Sequence, residues 1–77
     1  MGYSIRNLEI GDHCVISGFR KGNGELTSRL LSMGITVGVE IELIRKAPFG
    51  DPIDVRVRGF ELTLRKKESD IIKIRRV

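Results

Sequence analysis

Residues 39–58 read VEIELIRKAPFGDPIDVRVR, and this stretch decides the fold. Apolar and charged residues alternate from Val39 to Leu43 and again from Ile53 to Arg58. Strict alternation in segments rich in β-branched residues is typical of strands that bury one face. Pro48 and Pro52 lack an N–H group and fix φ, so neither belongs inside a central strand. The stretch therefore predicts a β-hairpin whose two strands are joined by a broad loop.

One short helix is predicted from Glu25 to Met33, where apolar residues recur at helical spacing. Asn23 is a candidate N-cap, and Gly34 stands where a helix end requires a left-handed residue. Because a helix of about two and a half turns would not persist alone, we expect it to pack against the strands.

A strand is predicted before this helix, from His13 to Phe19. Cys14 and Ile16 fall on its core-facing side, and a bulge at Gly18 would let Phe19 switch to the same side.

Further short elements follow the hairpin. A tight turn is predicted at residues 58–61, with Gly59 as its first central residue and a positive φ. Alternation at residues 61–65 predicts another strand, residues 66–70 a single turn, and residues 72–76 a last strand. The chain is therefore predicted to be all-β (mainly β), a small barrel of about five strands with one short inserted α-helix. Residues 1–77 are expected to form a single domain.

The length, the cysteine content and the absence of long apolar runs indicate a small protein of the cytoplasm. The chain has 77 residues, one cysteine and a formal net charge of +4. One cysteine cannot form an internal disulfide, which is consistent with a reducing compartment. The sequence contains neither a signal-peptide pattern nor a run of apolar residues long enough to span a membrane.

Positive charge is concentrated in the second part of the chain. From residue 45 onward there are ten Lys and Arg against five Asp and Glu, whereas the first 44 residues hold four against five. A basic surface can attract nucleic acid, an anionic membrane or an acidic protein, and it can also be a plain solvated face of the strands. Single-strand binders combine such charge with stacking aromatics, and this chain has one Tyr and three Phe, with no aromatic stripe among its basic residues. We therefore do not expect the chain to bind nucleic acid, although this function stays the alternative to protein binding.

The sequence offers little for catalysis or for metal binding. The single histidine, His13, adjoins the single cysteine, Cys14. Neighbouring residues of a strand point to opposite faces, so these two side chains are poorly placed to act together. A structural zinc site takes four nitrogen or sulfur ligands, and the sequence has two. We expect no catalytic residues, no cofactor and no metal site, although a metal-responsive module remains an alternative.

A surface that binds another protein is the remaining possibility. The helix and the loop around Phe49 could present apolar side chains, and the late strands could add positive charge. Phe49 could instead serve as a lid on one end of the barrel, and the leucines and Met33 of the helix could instead pack in the core. The residues predicted to bind a partner are Leu26, Leu31, Met33, Pro48, Phe49, Arg56 and Arg58.

The order of these motifs resembles that of the ferrous iron transport protein A (FeoA) family, over nearly the whole chain. The matching segments are Leu8–Gly11, Ser28–Ile35, Lys46–Pro52, Val55–Gly59, Leu62–Arg65 and Ile72–Ile74. The family usually has Pro-Gly after the helix, where this chain has Val37-Gly38, and often has Ala where Ser69 stands.

The resemblance implies an SH3-like barrel that is not an enzyme. It further implies a cytoplasmic role in ferrous iron uptake, close to the membrane. The implied partner is the transporter FeoB. The chain would bind or regulate FeoB by contacting the G-protein domain of the transporter or a membrane-proximal part of it. Similar barrels occur at the C-terminus of iron-dependent repressors, but this chain has no DNA-binding helix-turn-helix.

Overall fold

A computed structural model of the chain describes residues 3–77, and of residue 3 only the backbone. Six strands lie within these residues: β1 (Tyr3–Ser4), β2 (His13–Phe19), β3 (Glu40–Lys46), β4 (Ile53–Val57), β5 (Phe60–Leu64) and β6 (Ile72–Arg76). Two α-helices accompany them, α1 (Gly24–Ser32) and α2 (Lys66–Asp70), together with a 3-10 helix at Ile5–Asn7. The strands form one antiparallel sheet in the order β1-β6-β2-β3-β4-β5. The mainly β prediction is confirmed.

The predicted hairpin is formed by β3 and β4. Ile41 lies opposite Val57 and Leu43 opposite Val55, and all four side chains are buried. The strands are joined by a broad loop at residues 47–52, in which the N–H of Ala47 donates to the carbonyl of Pro52 at 3.0 Å. Alternation of buried and charged residues therefore specified both the strands and their inward faces.

The turn between β4 and β5 differs from the prediction in one respect. Val57 pairs with Phe60, so the turn has two central residues, Arg58 and Gly59, with φ values of +49° and +87°. Gly59 is the second central residue, and the prediction that it is the first was wrong. Two positive φ angles match the right-handed twist of the flanking strands, which is why such turns join hairpins.

Helix α1 has the predicted ends to within one residue. The side-chain oxygen of Asn23 accepts a hydrogen bond from the N–H of Leu26 at 3.0 Å. At the other end Gly34 has φ +96°, and the N–H of Ile35 donates to the carbonyl of Leu30 at 3.0 Å. Leu30 and Ile35 are fully buried, so both the helix and its exit are fastened to the core.

All five predicted strands are present, and β1 is a sixth that was not predicted. It has two residues and pairs with β6. The single turn expected at residues 66–70 is helix α2, where Glu68 and Ser69 are buried. Helix α2 packs against the 3-10 helix that follows β1, and thus links the two ends of the sheet.

The core is one cluster of buried apolar side chains drawn from nearly every element. In β2, Cys14 and Ile16 are buried, and the register shifts between Ile16 and Gly18. Phe19 consequently packs against the core, as predicted. Within residues 3–77, no helix combines the length and the apolar character that crossing a membrane requires.

Candidate functional site

A groove of about 420 Å³ runs between α1 and the end of β5. We call it the α1–β5 groove. Helix α1 contributes Leu26 and Arg29, and Met33 caps its C-terminal end. The end of β5 and the start of α2 contribute the other side. Its lining residues are Leu26, Arg29, Met33, Thr63, Arg65, Lys67 and Glu68.

The apolar part of the groove comes from Leu26 and Met33. Helical geometry places residues separated by seven positions on the same face, two turns apart. Both side chains are half-buried. The structure therefore brings together two of the residues predicted to bind a partner.

The rim of the groove is cationic. Glu68 is 7 % exposed, and its Oε1 accepts the N–H of Arg65 at 2.8 Å. Its Oε2 lies 4.0 Å from Nε of Arg29, so this one carboxylate offsets part of the positive charge. Among the residues that the structure describes, neither Arg65 nor Lys67 forms an ion pair. The groove thus combines an apolar floor with net positive charge.

Leu31 lies outside this groove, although it belongs to the same helix. It is 43 % exposed. Phe60 is also exposed, and its ring lies 3.7 Å from the position that a Cβ on Gly34 would occupy. The structure therefore leaves two exposed apolar side chains, Leu31 and Phe60, that do not line the α1–β5 groove.

The loop that carries Pro48 and Phe49 forms a second feature. Phe49 is 95 % exposed, so its ring covers none of the residues 3–77, and the interpretation of Phe49 as a lid was wrong. Gly50 contributes to a polar cleft of about 330 Å³ whose other lining residues include Arg6 and Asp70. This cleft shares no lining residue with the α1–β5 groove. The loop and the groove are two separate surfaces.

Arg56 and Arg58 differ in their electrostatic surroundings. Arg56 lies 3.5 Å from Glu42 and 3.3 Å from Glu61, which stand beside it on β3 and β5. Its charge is therefore offset within the sheet, although its part in binding remains a prediction. Arg58 occupies the exposed β4–β5 turn and forms no ion pair with the described residues.

His13 and Cys14 lie on opposite sides of β2, as predicted. Nδ1 of His13 is 2.9 Å from a carboxylate oxygen of Glu40 at the surface. Burial raises the pKa of the Cys14 thiol to about 11, and the charges of Glu40 and Asp12 act in the same direction. Within residues 3–77, no three His, Cys, Asp or Glu side chains are grouped so that they could hold a metal ion.

A comparison with protein families identifies the domain. The family model described as "FeoA domain" matches residues 3–76. The chain belongs to the FeoA domain family.

Three relatives of this FeoA domain illustrate the range of similarity. An Fe(2+) transport protein A/Fe(2+) transporter FeoB fusion protein from Porphyromonas gingivalis is 30 % identical over 70 residues, which are 91 % of this chain and 8 % of the fusion protein. The solution structure of iron(II) transport protein A from Clostridium thermocellum has 36 % identity and a TM-score of 0.90, covering 97 % of this chain and 46 % of that one.

The third relative is FeoA from Stenotrophomonas maltophilia, solved as a complex with zinc and described as a prokaryotic SH3 domain protein. It has 22 % identity and a TM-score of 0.81, and the match covers 95 % of this chain and 89 % of that one. At that identity the likeness shows the fold alone. The expected SH3-like architecture is confirmed.

Five of the groove residues in this FeoA domain were not among those predicted from the sequence. They are Arg29, Thr63, Arg65, Lys67 and Glu68. The basic pair just after a strand was visible in the sequence, but its position opposite α1 follows only from how the helix packs. Leu26 and Met33 were recognisable because helical spacing places them on one face.

Proposed function

We propose that this chain is a non-enzymatic accessory protein of ferrous iron uptake that binds a FeoB-type transporter on its cytoplasmic side. The observation that carries the proposal is the P. gingivalis protein, whose description joins an Fe(2+) transport protein A and an Fe(2+) transporter FeoB in one polypeptide. Fusion holds two domains at a high effective concentration, which favours even weak contacts between them.

Two surfaces of the chain have the chemistry of such a contact. The α1–β5 groove offers Leu26 and Met33 between cationic side chains, and Phe49 projects from its loop. Apolar and aromatic side chains, together with arginine, dominate the energetics of protein interfaces. Arg58 adds a positive charge on an exposed turn, which would speed association with an acidic partner.

The environments of the potentially reactive side chains support binding rather than catalysis. The Cys14 thiol is buried with a raised pKa, so it carries little thiolate at neutral pH. His13 is at the surface, and its Nδ1 lies 2.9 Å from a carboxylate oxygen of Glu40. We therefore propose that the chain acts through contact with its partner.

A resident metal ion is not part of this proposal. The S. maltophilia FeoA is complexed with zinc. In the part of this chain that the structure describes, however, no group of three His, Cys, Asp or Glu side chains is arranged to bind an ion. Zinc sites in proteins take three or four such ligands.

Co-purification tests the proposal. The purified chain is mixed with the cytoplasmic portion of a FeoB-type transporter from the same organism, without nucleotide, with GDP, and with a non-hydrolysable GTP analogue. We expect a complex in at least one nucleotide state, and its absence in all three would contradict the proposal. A parallel titration with oligonucleotides tests the nucleic-acid alternative, because binding to phosphates falls steeply with salt.

The variant Met33→Ala/Phe49→Ala is the matched probe of the two surfaces, and we expect it to weaken the complex. Lys73→Ala is its control, because Lys73 is exposed on β6, which three other strands separate from β5 in the sheet. Equal loss of binding by both variants would count against these surfaces.

A further inference from the structure

Strand β5 forms one edge of the sheet. The strand order ends with β5, so among residues 3–77 only β4 pairs with it. In an antiparallel ladder, residues alternate between hydrogen-bonded and non-hydrogen-bonded pairs. In a hairpin with a two-residue turn, the residues that flank the turn, here Val57 and Phe60, form a hydrogen-bonded pair. Leu62 lies two residues further along β5 and pairs with Val55, so this pair is hydrogen-bonded as well. The backbone N–H and C=O groups of Glu61 and Thr63 therefore point away from β4, toward the open edge.

This open edge borders the α1–β5 groove. Thr63 lines the groove directly, and so do Leu26 on α1 and Met33 at the C-terminal cap of that helix. A segment placed along β5 would thus meet backbone hydrogen-bonding groups on one side and apolar side chains on the other. Peptides that add a strand to a sheet use this combination, in which the main chain gives affinity and the side-chain pockets give specificity.

The charge of the rim indicates which kind of segment would bind. Arg65 and Lys67 flank the groove and form no ion pair with the described residues. Carboxylates on an incoming strand would neutralise them. A second copy of this chain carries the same formal net charge of +4, and like charges disfavour that pairing.

We propose that an extended segment of the FeoB-type transporter, with apolar and acidic side chains, binds as an additional strand along β5 in the α1–β5 groove. This inference rests on the proposed function and adds to it the surface and the mode of contact. Strand β5 has five residues, so a segment of similar length would fill the edge. Its apolar side chains would contact Leu26 and Met33, and its carboxylates would contact Arg65 and Lys67.

A pair of variants at Thr63 tests the backbone contact. Thr63→Pro removes the N–H that faces the edge, and proline is tolerated on an edge strand where the N–H makes no ladder bond. It also removes the hydroxyl that donates to Asp54 at 2.8 Å. Thr63→Val is therefore the matched control, because it removes the same hydroxyl and keeps the N–H. With the cytoplasmic portion of the transporter as the probe, we expect Thr63→Pro to weaken binding about tenfold or more, and Thr63→Val to bind within about threefold of the wild type.

Amide hydrogen exchange provides a second measurement on the wild-type chain. Bound transporter should slow exchange at Glu61 and Thr63, while Leu62, already bonded to β4, should change little. This measurement decides the question if Thr63→Pro fails to give a folded NMR spectrum.

The charge of the rim is tested with the double variant Arg65→Glu/Lys67→Glu, which should weaken binding about tenfold or more. Lys73→Glu is the control and should leave binding unchanged.

The outcomes separate the two proposals. If the wild type forms no complex, the proposed function fails and the strand-addition inference fails with it. If the wild type binds but both Thr63 variants bind equally well and exchange at Glu61 and Thr63 is unchanged, only the strand-addition inference is overturned. Self-association of the wild type that Thr63→Pro abolishes would assign the edge to a second copy, and that result also overturns the inference.

Discussion

The hydroxyl of Thr63 donates a hydrogen bond to the carboxylate of Asp54 across the β4–β5 pair, at 2.8 Å. The other oxygen of the same carboxylate lies 2.9 Å from Nε of Arg45 on β3. Asp54 therefore ties together three neighbouring strands on the outer face of the sheet. The hydrogen bond from Thr63 and that from Arg45 hold the pKa of Asp54 below its ordinary value.

The lowered pKa of Asp54 predicts a dependence of stability on pH. A carboxyl group whose pKa is lower in the folded state stabilises the fold above its unfolded pKa of about 3.9, and this contribution is lost as the pH falls through the folded value. We expect Asp54→Asn to have a lower Tm than the wild type at pH 7, with the difference shrinking below about pH 4. Thermal unfolding followed by circular dichroism measures this, and a difference in Tm that is constant from pH 7 to pH 2 would contradict it.

The raised pKa of Cys14 predicts a dependence of stability on pH in the alkaline range. Its pKa of about 11 in the folded chain exceeds that of an exposed thiol, because the side chain is buried. The Cys14 thiol therefore holds its proton more strongly in the folded state than in the unfolded state. The resulting stabilisation of the fold is complete below about pH 8.5 and is lost as the pH rises toward 11. We expect slow reaction of the native thiol with a disulfide reagent at pH 8, and fast reaction in denaturant. Fast reaction of the native protein would show that the thiol is accessible.

Gly34 is predicted to be a costly position for any side chain. Its φ of +96° is unfavourable for residues with a Cβ, whereas the nearest atom to an added Cβ is Cζ of Phe60 at 3.7 Å, an ordinary contact. Backbone strain thus dominates, and Gly34→Ala should lower the free energy of unfolding by about 1–2 kcal/mol. Gly24→Ala is the control, since that glycine lacks a positive φ and has open space around it. Its effect in urea unfolding should stay within about 0.5 kcal/mol.

The parts of the fold that could be predicted depend on local signals. The β3–β4 hairpin follows from alternation that ends at a proline, and both ends of α1 follow from Asn23 and Gly34. Strand β1 could not be found in this way, because two residues carry no period and the partner strand β6 lies at the far end of the sequence. The conformation of Arg58 in the β4–β5 turn also could not be predicted from local sequence. A positive φ on arginine is imposed by the pairing of Val57 with Phe60, not by the residue itself.

The candidate site was harder to predict than the fold because it depends on packing between distant elements. Leu26 and Met33 were identifiable on one face of a helix, but Arg65 and Lys67 join them only when α1 packs next to β5. Arg56 illustrates the opposite case. Its positive charge suggested a contact with an acidic partner, yet the strand register places Glu42 and Glu61 directly beside it.

Leu30 and Leu31 should show opposite sensitivities, although they are neighbours on α1. Leu30 is fully buried, so Leu30→Ala leaves a cavity that should cost about 2–5 kcal/mol. A domain of this size has a total stability on the order of 5 kcal/mol, so this variant should keep at most about 3 kcal/mol and unfold at a clearly lower urea concentration than the wild type. Leu31 is 43 % exposed, and Leu31→Ala should cost less than about 1 kcal/mol. Equal loss of stability in urea unfolding would mean that α1 does not pack through Leu30.

Phe49 should be dispensable for stability and important for binding. Because its ring is 95 % exposed, Phe49→Ala should change the free energy of unfolding by no more than about 0.5 kcal/mol. An exposed aromatic ring that fills a pocket on a partner contributes about 2 kcal/mol or more, so binding to the cytoplasmic portion of a FeoB-type transporter should weaken at least tenfold. Phe49→Leu keeps part of the apolar surface and should give an intermediate affinity by calorimetry. If both variants bind as tightly as the wild type, the loop has no part in the contact, and the α1–β5 groove must supply the affinity alone.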